Sequence, residues 1–266
     1  MSRFEHLEFG EGPRRPESAP KDAKGAPQGT PTRDATYFLE LAGKQHLSGD
    51  YELALRNYSR SLEQNPAEFQ GWFGQVRMLI ELGEYEEALL WADKALELFP
   101  EHPDLLASKA VSALRTGDLE KAMAYTDNAL SKKGQTPYVW LARAEALLEC
   151  GRPTAAHCVG NALALAGLAA PHVHLEAGRL LLRAHAWAEA LDHLRKAAQA
   201  LPESALAWFE LGRCQAALGF PEAEAAFTQC LILRPDWLPA RRALERFRQR
   251  GPFARLRGFF RRMRRG

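Results

Sequence analysis

Apolar residues recur along this chain three and four apart, in runs of helical length broken by Gly, Asp or Pro. The stretch from Phe69 to His102, FQGWFGQVRMLIELGEYEEALLWADKALELFPEH, shows the pattern in full: two amphipathic runs, a turn around Gly83, and Pro100 as a stop. Proline cannot continue a helix, so it fixes where the second run ends. The unit repeats. Stepping 34 residues from Trp72 in both directions reaches Phe38, Leu106, Trp140, His174 and Trp208. Four residues on, on the same helix, stand Ala42, Val76, Ala110, Ala144, Gly178 and Gly212, small enough for another helix to approach closely. The second run of each unit carries Ala54, Ala88, Ala122, Ala155, Ala190 and Ala223. The fourth and sixth of these come one residue early, which predicts a turn shorter by one in those units. Pro66, Pro100, Pro202 and Pro235 close four of the six units.

This order of large, small, small and closing proline resembles the tetratricopeptide repeat over residues 35 to 250 or so. The second unit matches best, with Trp72, Gly83, Tyr85, Ala88, Ala95 and Pro100 at the family's positions. The third ends in Gly134, the fourth lacks the closing proline, and the fifth has His174 and His185 where the family favours Trp and Gly. Two short helices cannot each bury an apolar face alone, so units must stack to build a continuous core. The expected fold is all-α: a solenoid of about six helix-turn-helix repeats over residues 35–235 plus a capping helix over 236–250. The resemblance implies a right-handed superhelix with a concave inner face.

The resemblance also implies which residues line that face. The fifth position of each first helix gives an apolar stripe that includes Leu39, Phe73, Leu141, Leu175 and Phe209. The ninth gives Arg77, Arg179 and Arg213, with Glu145. Arginine forks bind carboxylates through two hydrogen bonds. Such a groove suits a peptide or helix with apolar anchors and some acidic residues. Family members that clamp the C-terminal carboxylate of heat-shock chaperones need a Lys or Arg at the fifth position with Asn at the ninth. Leu39 and Gly43, Phe73 and Arg77, or Ala107 and Val111 do not fit, so that partner is not expected.

Charge changes the picture at one end. From Arg241 to Gly266 the chain has eleven arginines and one acid, a balance of +10, which leaves 24 basic and 32 acidic side chains elsewhere. Residues 251–266 set Phe253, Leu256, Phe260 and Met263 three or four apart, with Arg255, Arg257, Arg261, Arg262, Arg264 and Arg265 between them, as in a basic amphipathic helix. This tail suits an anionic membrane surface, an acidic protein surface (the repeats included), or the phosphates of nucleic acid. Residues 1–34 precede the repeats; five prolines and four glycines between Gly10 and Pro31 predict a leader without a core, headed by the apolar Phe4, Leu7 and Phe9.

Chemistry-bearing motifs are not apparent. The sequence shows no phosphate loop, no H-E-x-x-H and no nucleophile elbow. The four cysteines form no paired C-x-x-C site, and His172 and His174, two apart, do not face one another on a helix. No catalytic residue, metal site or cofactor is therefore expected. With no signal-like N-terminus and no membrane-length apolar run, the expected location is cytoplasmic, peripheral at a membrane if the tail binds lipid. The expected function is a non-enzymatic scaffold or adaptor for a protein partner, with a nucleic-acid-associated protein as the alternative.

Overall fold

The structure is a computed structural model, and residues 34–167 and 170–249 are described. Thirteen helices and no strand occur among them. They fall into six antiparallel pairs: α1 (Ala35–Ser48) with α2 (Tyr51–Gln64), α3 (Phe69–Leu82) with α4 (Tyr85–Leu98), α5 (Pro103–Arg115) with α6 (Leu119–Ser131), α7 (Pro137–Glu149) with α8 (Ala155–Ala166), α9 (Pro171–Arg183) with α10 (Trp187–Ala200), and α11 (Ala205–Leu218) with α12 (Ala223–Leu233). A last helix, α13 (Leu238–Gln249), packs on α12 and α11.

The small columns of the repeat make the core. Ala42, Val76 and Ala144 are fully buried, as are Ala54, Ala88, Ala122, Ala190 and Ala223. Where glycine stands in the column, a large side chain has moved into its space: a Cβ on Gly178 would lie 2.5 Å from Leu194, and one on Gly212 2.7 Å from Phe227. The large column has a second job. The indole N–H of Trp72 donates to the carbonyl of Pro66 at 2.8 Å, and that of Trp208 to Pro202 at 2.9 Å, so each ties its unit to the proline that ends the previous one. Arg241 makes the same bond to Pro235 at 2.8 Å from α13. Units three and four have no closing proline. There Pro137 and Pro171 open the next helix instead, at a position where the missing N–H costs nothing.

The early alanines of units four and six have a different outcome from a shorter connection. In both, Pro153 or Pro221 starts a tight turn with three-residue hydrogen bonds, Ala156 to Pro153 and Glu224 to Pro221, before the regular helix begins. A three-residue turn uses fewer residues than an α-helical one. The missing residue is thus taken out of the first turn of α8 and α12, which are the two shortest second helices at 12 and 11 residues.

The repeat period does not show that the superhelix closes on itself. The turn after α1 meets the start of α11 and the turn after α12. The Ser204 hydroxyl donates to the Leu47 carbonyl at 2.8 Å, and Arg234 donates to the Ser48 carbonyl at 3.2 Å while pairing with Asp50 at 3.3 Å. The Trp237 ring fills the space beside Gly49, whose φ of +78° ends α1. Leu47 and Tyr51 pack on the core that runs through units four to six. Unit one is joined to unit six across a seam.

Candidate functional site

Closure gathers the inner-face side chains around one centre that stays open to solvent. A cavity of about 250 Å³ sits there, lined by first helices of units two to six and by Tyr85 at the start of α4. Among its lining residues are five arginines (Arg77, Arg115, Arg179, Arg183, Arg213) and four glutamates (Glu81, Glu145, Glu176, Glu210). Arg179 is the hub. Its two terminal nitrogens meet the Glu81 carboxylate at 3.0 and 2.5 Å, its Nη1 lies 3.4 Å from Glu176, its Nε 3.5 Å from Glu210, and its Nη2 donates to the Tyr51 hydroxyl at 3.3 Å. Glu81 comes from α3 and Arg179 from α9, so one fork ties units two and five together across the middle. Arg77 pairs with Glu176 at 2.9 Å and lies over the Tyr138 ring at 5.0 Å. Glu145 bridges Arg115 and, at 3.1 Å, Arg183. Arg213 pairs with Glu210 at 2.8 Å.

Burial by itself would raise the carboxyls of Glu81 and Glu176. The adjacent Arg179 guanidinium overrides it and holds both below the usual carboxylate range, with help from Arg77. Burial pushes the Tyr51 hydroxyl up and the Tyr138 hydroxyl up to about 12. His46 borders the network with a buried Nε2 that has no hydrogen-bond partner. Burial, then the charge of Arg77, lower its pKa to about 4.

The expected site residues divide. Leu39, Phe73 and Arg77 are half-buried, with Phe73 stacked on Phe69 at 5.7 Å and edge-on to Tyr138 at 5.2 Å. Phe209 is half-buried against Trp237 at 4.7 Å, and Arg213 is exposed. Leu141 lines the central cavity as expected but is only 5% exposed and packs in the core between units, whereas Leu175, 2% exposed, lies in that core and not at the cavity. Arg179 likewise is not a free cation beside a groove but a buried strut. Arg255, Arg257, Phe260, Arg261, Arg262, Arg264 and Arg265, and the leader, lie outside the described residues. Glu81, Arg115, Arg183, Glu176, Glu210, Tyr51 and Tyr138 were not expected at the site. Three of them had a signal: Glu81, Arg115 and Arg183 stand one helical turn after the ninth position in units two, three and five, on the same face.

Outside the centre, His174 and His193 share a hydrogen between their Nδ1 atoms at 2.9 Å, a packing pair in one unit. No group of three or more metal-ligating side chains occurs among the described residues, and no described helix is long and apolar enough to cross a membrane. Cys158, Cys214 and Cys230 are buried; burial pushes the last two thiols up to about 12.

Paired helices in one register, stacked so that the first helix of each pair faces inward, define an all-α repeat solenoid of the protein-interaction class. One family model described as tetratricopeptide repeat matches residues 48–103 and 175–236, and a second with the same description matches 79–146. The chain belongs to the tetratricopeptide repeat family. No curated protein matches its sequence. Solved structures share the fold. TTC0263, a thermophilic repeat protein of Thermus thermophilus, has 20% identity and a TM-score of 0.52 over 68% of this chain and 98% of its own. Human IFIT1, solved as a dimer with PPP-AAAA, has 19% identity and a TM-score of 0.54 over 87% and 67%. The chain spans only 43% of the matched chain in the Cut9–Hcn1 complex of the APC/C, at 16% identity and a TM-score of 0.51.

Proposed function

We propose that this protein is a non-enzymatic scaffold that holds an acidic segment of a partner protein on its inner face. The observation that carries the reading is an excess of arginine at the centre, five against four glutamates, with three of the arginines more open than any of the glutamates. Side chains of Arg115, Arg183 and Arg213 are 26%, 34% and 45% exposed, whereas those of Glu145 and Glu210 are 11% and 5% exposed. An entering carboxylate meets guanidinium edges before it meets like charge. Phe73 and Phe209, half-buried on the same face, supply the apolar contacts; the buried Leu141 and Leu175 do not.

The test is peptide selection on the full chain from a random displayed library. Peptides rich in Asp and Glu are expected. Replacing Arg183 and Arg213 together with Gln leaves Glu145 with Arg115 and Glu210 with Arg179, so the network keeps its partners. That pair of changes should weaken the selected peptides at least tenfold with helix content and melting unchanged. No acidic enrichment, or unchanged affinity in the double variant, overturns the reading.

A second reading concerns location. Leu238 is 54% exposed at the start of α13, and Arg241 and Arg242 stand three and four residues on, on the same side of the helix. This basic and apolar edge runs in sequence into residues 251–266 and favours an anionic membrane surface for the tail. Flotation of the full chain with vesicles of anionic lipid, and not with vesicles of phosphatidylcholine alone, is the expected result.

A further inference from the structure

At the C-terminal end of the inner face, between α11 and α13, lies a second cavity of about 490 Å³. Phe209, Phe227 and Phe247 line it together with Arg213, Arg242 and Arg246, and no acidic residue does. Arg242 and Arg246 are exposed and have no ion-pair partner among the described residues. Of the three rings only Phe209 is half-buried, since Phe227 and Phe247 are 1% and 2% exposed, and Arg213 already pairs with Glu210. One open ring beside the unpaired Arg242 and Arg246 fits a ligand that is both acidic and apolar. We propose that the occupant is the head of this same chain, residues 4–11, Phe-Glu-His-Leu-Glu-Phe-Gly-Glu. This inference rests on the reading of the inner-face arginines as a recognition surface.

Charge and reach both favour that occupant. Phe4, Leu7 and Phe9 alternate with Glu5, Glu8 and Glu11, apolar groups for the half-buried Phe209 and carboxylates for the exposed Arg213, Arg242 and Arg246. The other end of the chain is excluded by its own +10 balance from Arg241 onward. The end of α1 touches the start of α11 through the Ser204–Leu47 bond, so the pocket lies no farther from Asp34 than two 14-residue helices laid end to end. That is about 40 Å at ~1.5 Å per residue. Residues 12–33 can span at most about 75 Å at ~3.4 Å each, more than that distance. Attachment on the same chain within that reach makes the binding intramolecular. The scaffold thus carries an internal competitor for its own groove, and an acidic partner must displace it.

The experiment titrates a fluorescein-labelled synthetic peptide of residues 3–12 into three full-length proteins by anisotropy. One is the natural chain; one carries Glu5→Lys, Glu8→Lys and Glu11→Lys; one adds Arg242→Gln and Arg246→Gln to those three changes. The peptide should bind the leader variant at least tenfold more tightly than the natural chain, and binding should be lost in the third protein. Equal affinity for the first two proteins overturns the inference, as does binding that ignores Arg242 and Arg246 or no binding to the leader variant. If library-selected acidic peptides still bind through Arg183 and Arg213 in any of those cases, the inference fails and the scaffold reading stands. If those peptides fail too, both fall.

Discussion

Arg179 lines the central cavity and Arg242 the cavity between α11 and α13, yet one is 8% exposed with three carboxylates within reach and the other stands in solvent with none among the described residues. The centre of the face, from units two to six, spends its charge on the fold itself. The C-terminal end, where α13 follows the last pair, leaves its charge unspent. An arginine taken out of water must be paired to be tolerated, and once paired it cannot be removed alone. An exposed arginine has the opposite profile, since its loss hardly affects the fold and its charge is free for a ligand. The same residue type is therefore a strut at one place and a free charge at another.

The largest effect should separate the two directly. Arg179→Ala leaves Glu81, Glu176 and Glu210 without their common partner and is expected to cost about 3–5 kcal/mol in urea denaturation. Retained stability in that variant would break the contrast. Acid should sharpen it next. His46 titrates at about 4 in the folded chain, well below the ordinary 6.5, so the unfolded chain binds the proton first as pH falls. Stability from this residue is present above pH 6.5 and is lost between 6.5 and about 4, by up to about 3 kcal/mol. His46→Gln should flatten that part of the profile, and Arg242→Gln should leave it as it was. At the seam, Gly49→Ala puts a Cβ 2.5 Å from Trp237 at a φ of +78°, with an expected loss of about 1–3 kcal/mol in the same denaturation measurement. Smallest of all, Arg242→Ala should stay within about 0.5 kcal/mol of the natural chain. A loss above that would mean that α13 uses the arginine to hold itself in place.

The fold was legible because its cause is local. Each unit repeats a large residue, two small ones and a stop, and helix pairing follows from those columns wherever they recur. Even the two early alanines were visible, although their consequence, a tightened first turn at Pro153 and Pro221, depends on hydrogen bonds that spacing alone does not reveal. The site was half legible. Family positions picked out Arg77, Glu145, Arg179 and Arg213, and all four are at the central cavity. Their partners were not legible, because Glu81 and Arg179 are 98 residues apart and meet only after three unit-to-unit rotations have accumulated. Leu175 illustrates the same gap: curvature decides whether a fifth-position leucine looks into the groove or into its neighbour, and here it is 2% exposed.

The seam between units one and six also bears on how the molecule comes apart. A linear stack of repeats loses its terminal units first, because each has a single neighbour, and its protection against hydrogen exchange falls away toward both ends. With Ser204 on Leu47, Arg234 on Asp50 and Trp237 on Gly49, the first unit has a neighbour on either side. Fraying from α1 must break two interfaces in place of one, so the amides of α1 and α2 should exchange on the timescale of the middle of the array, and unfolding gains the all-or-none character of a closed ring.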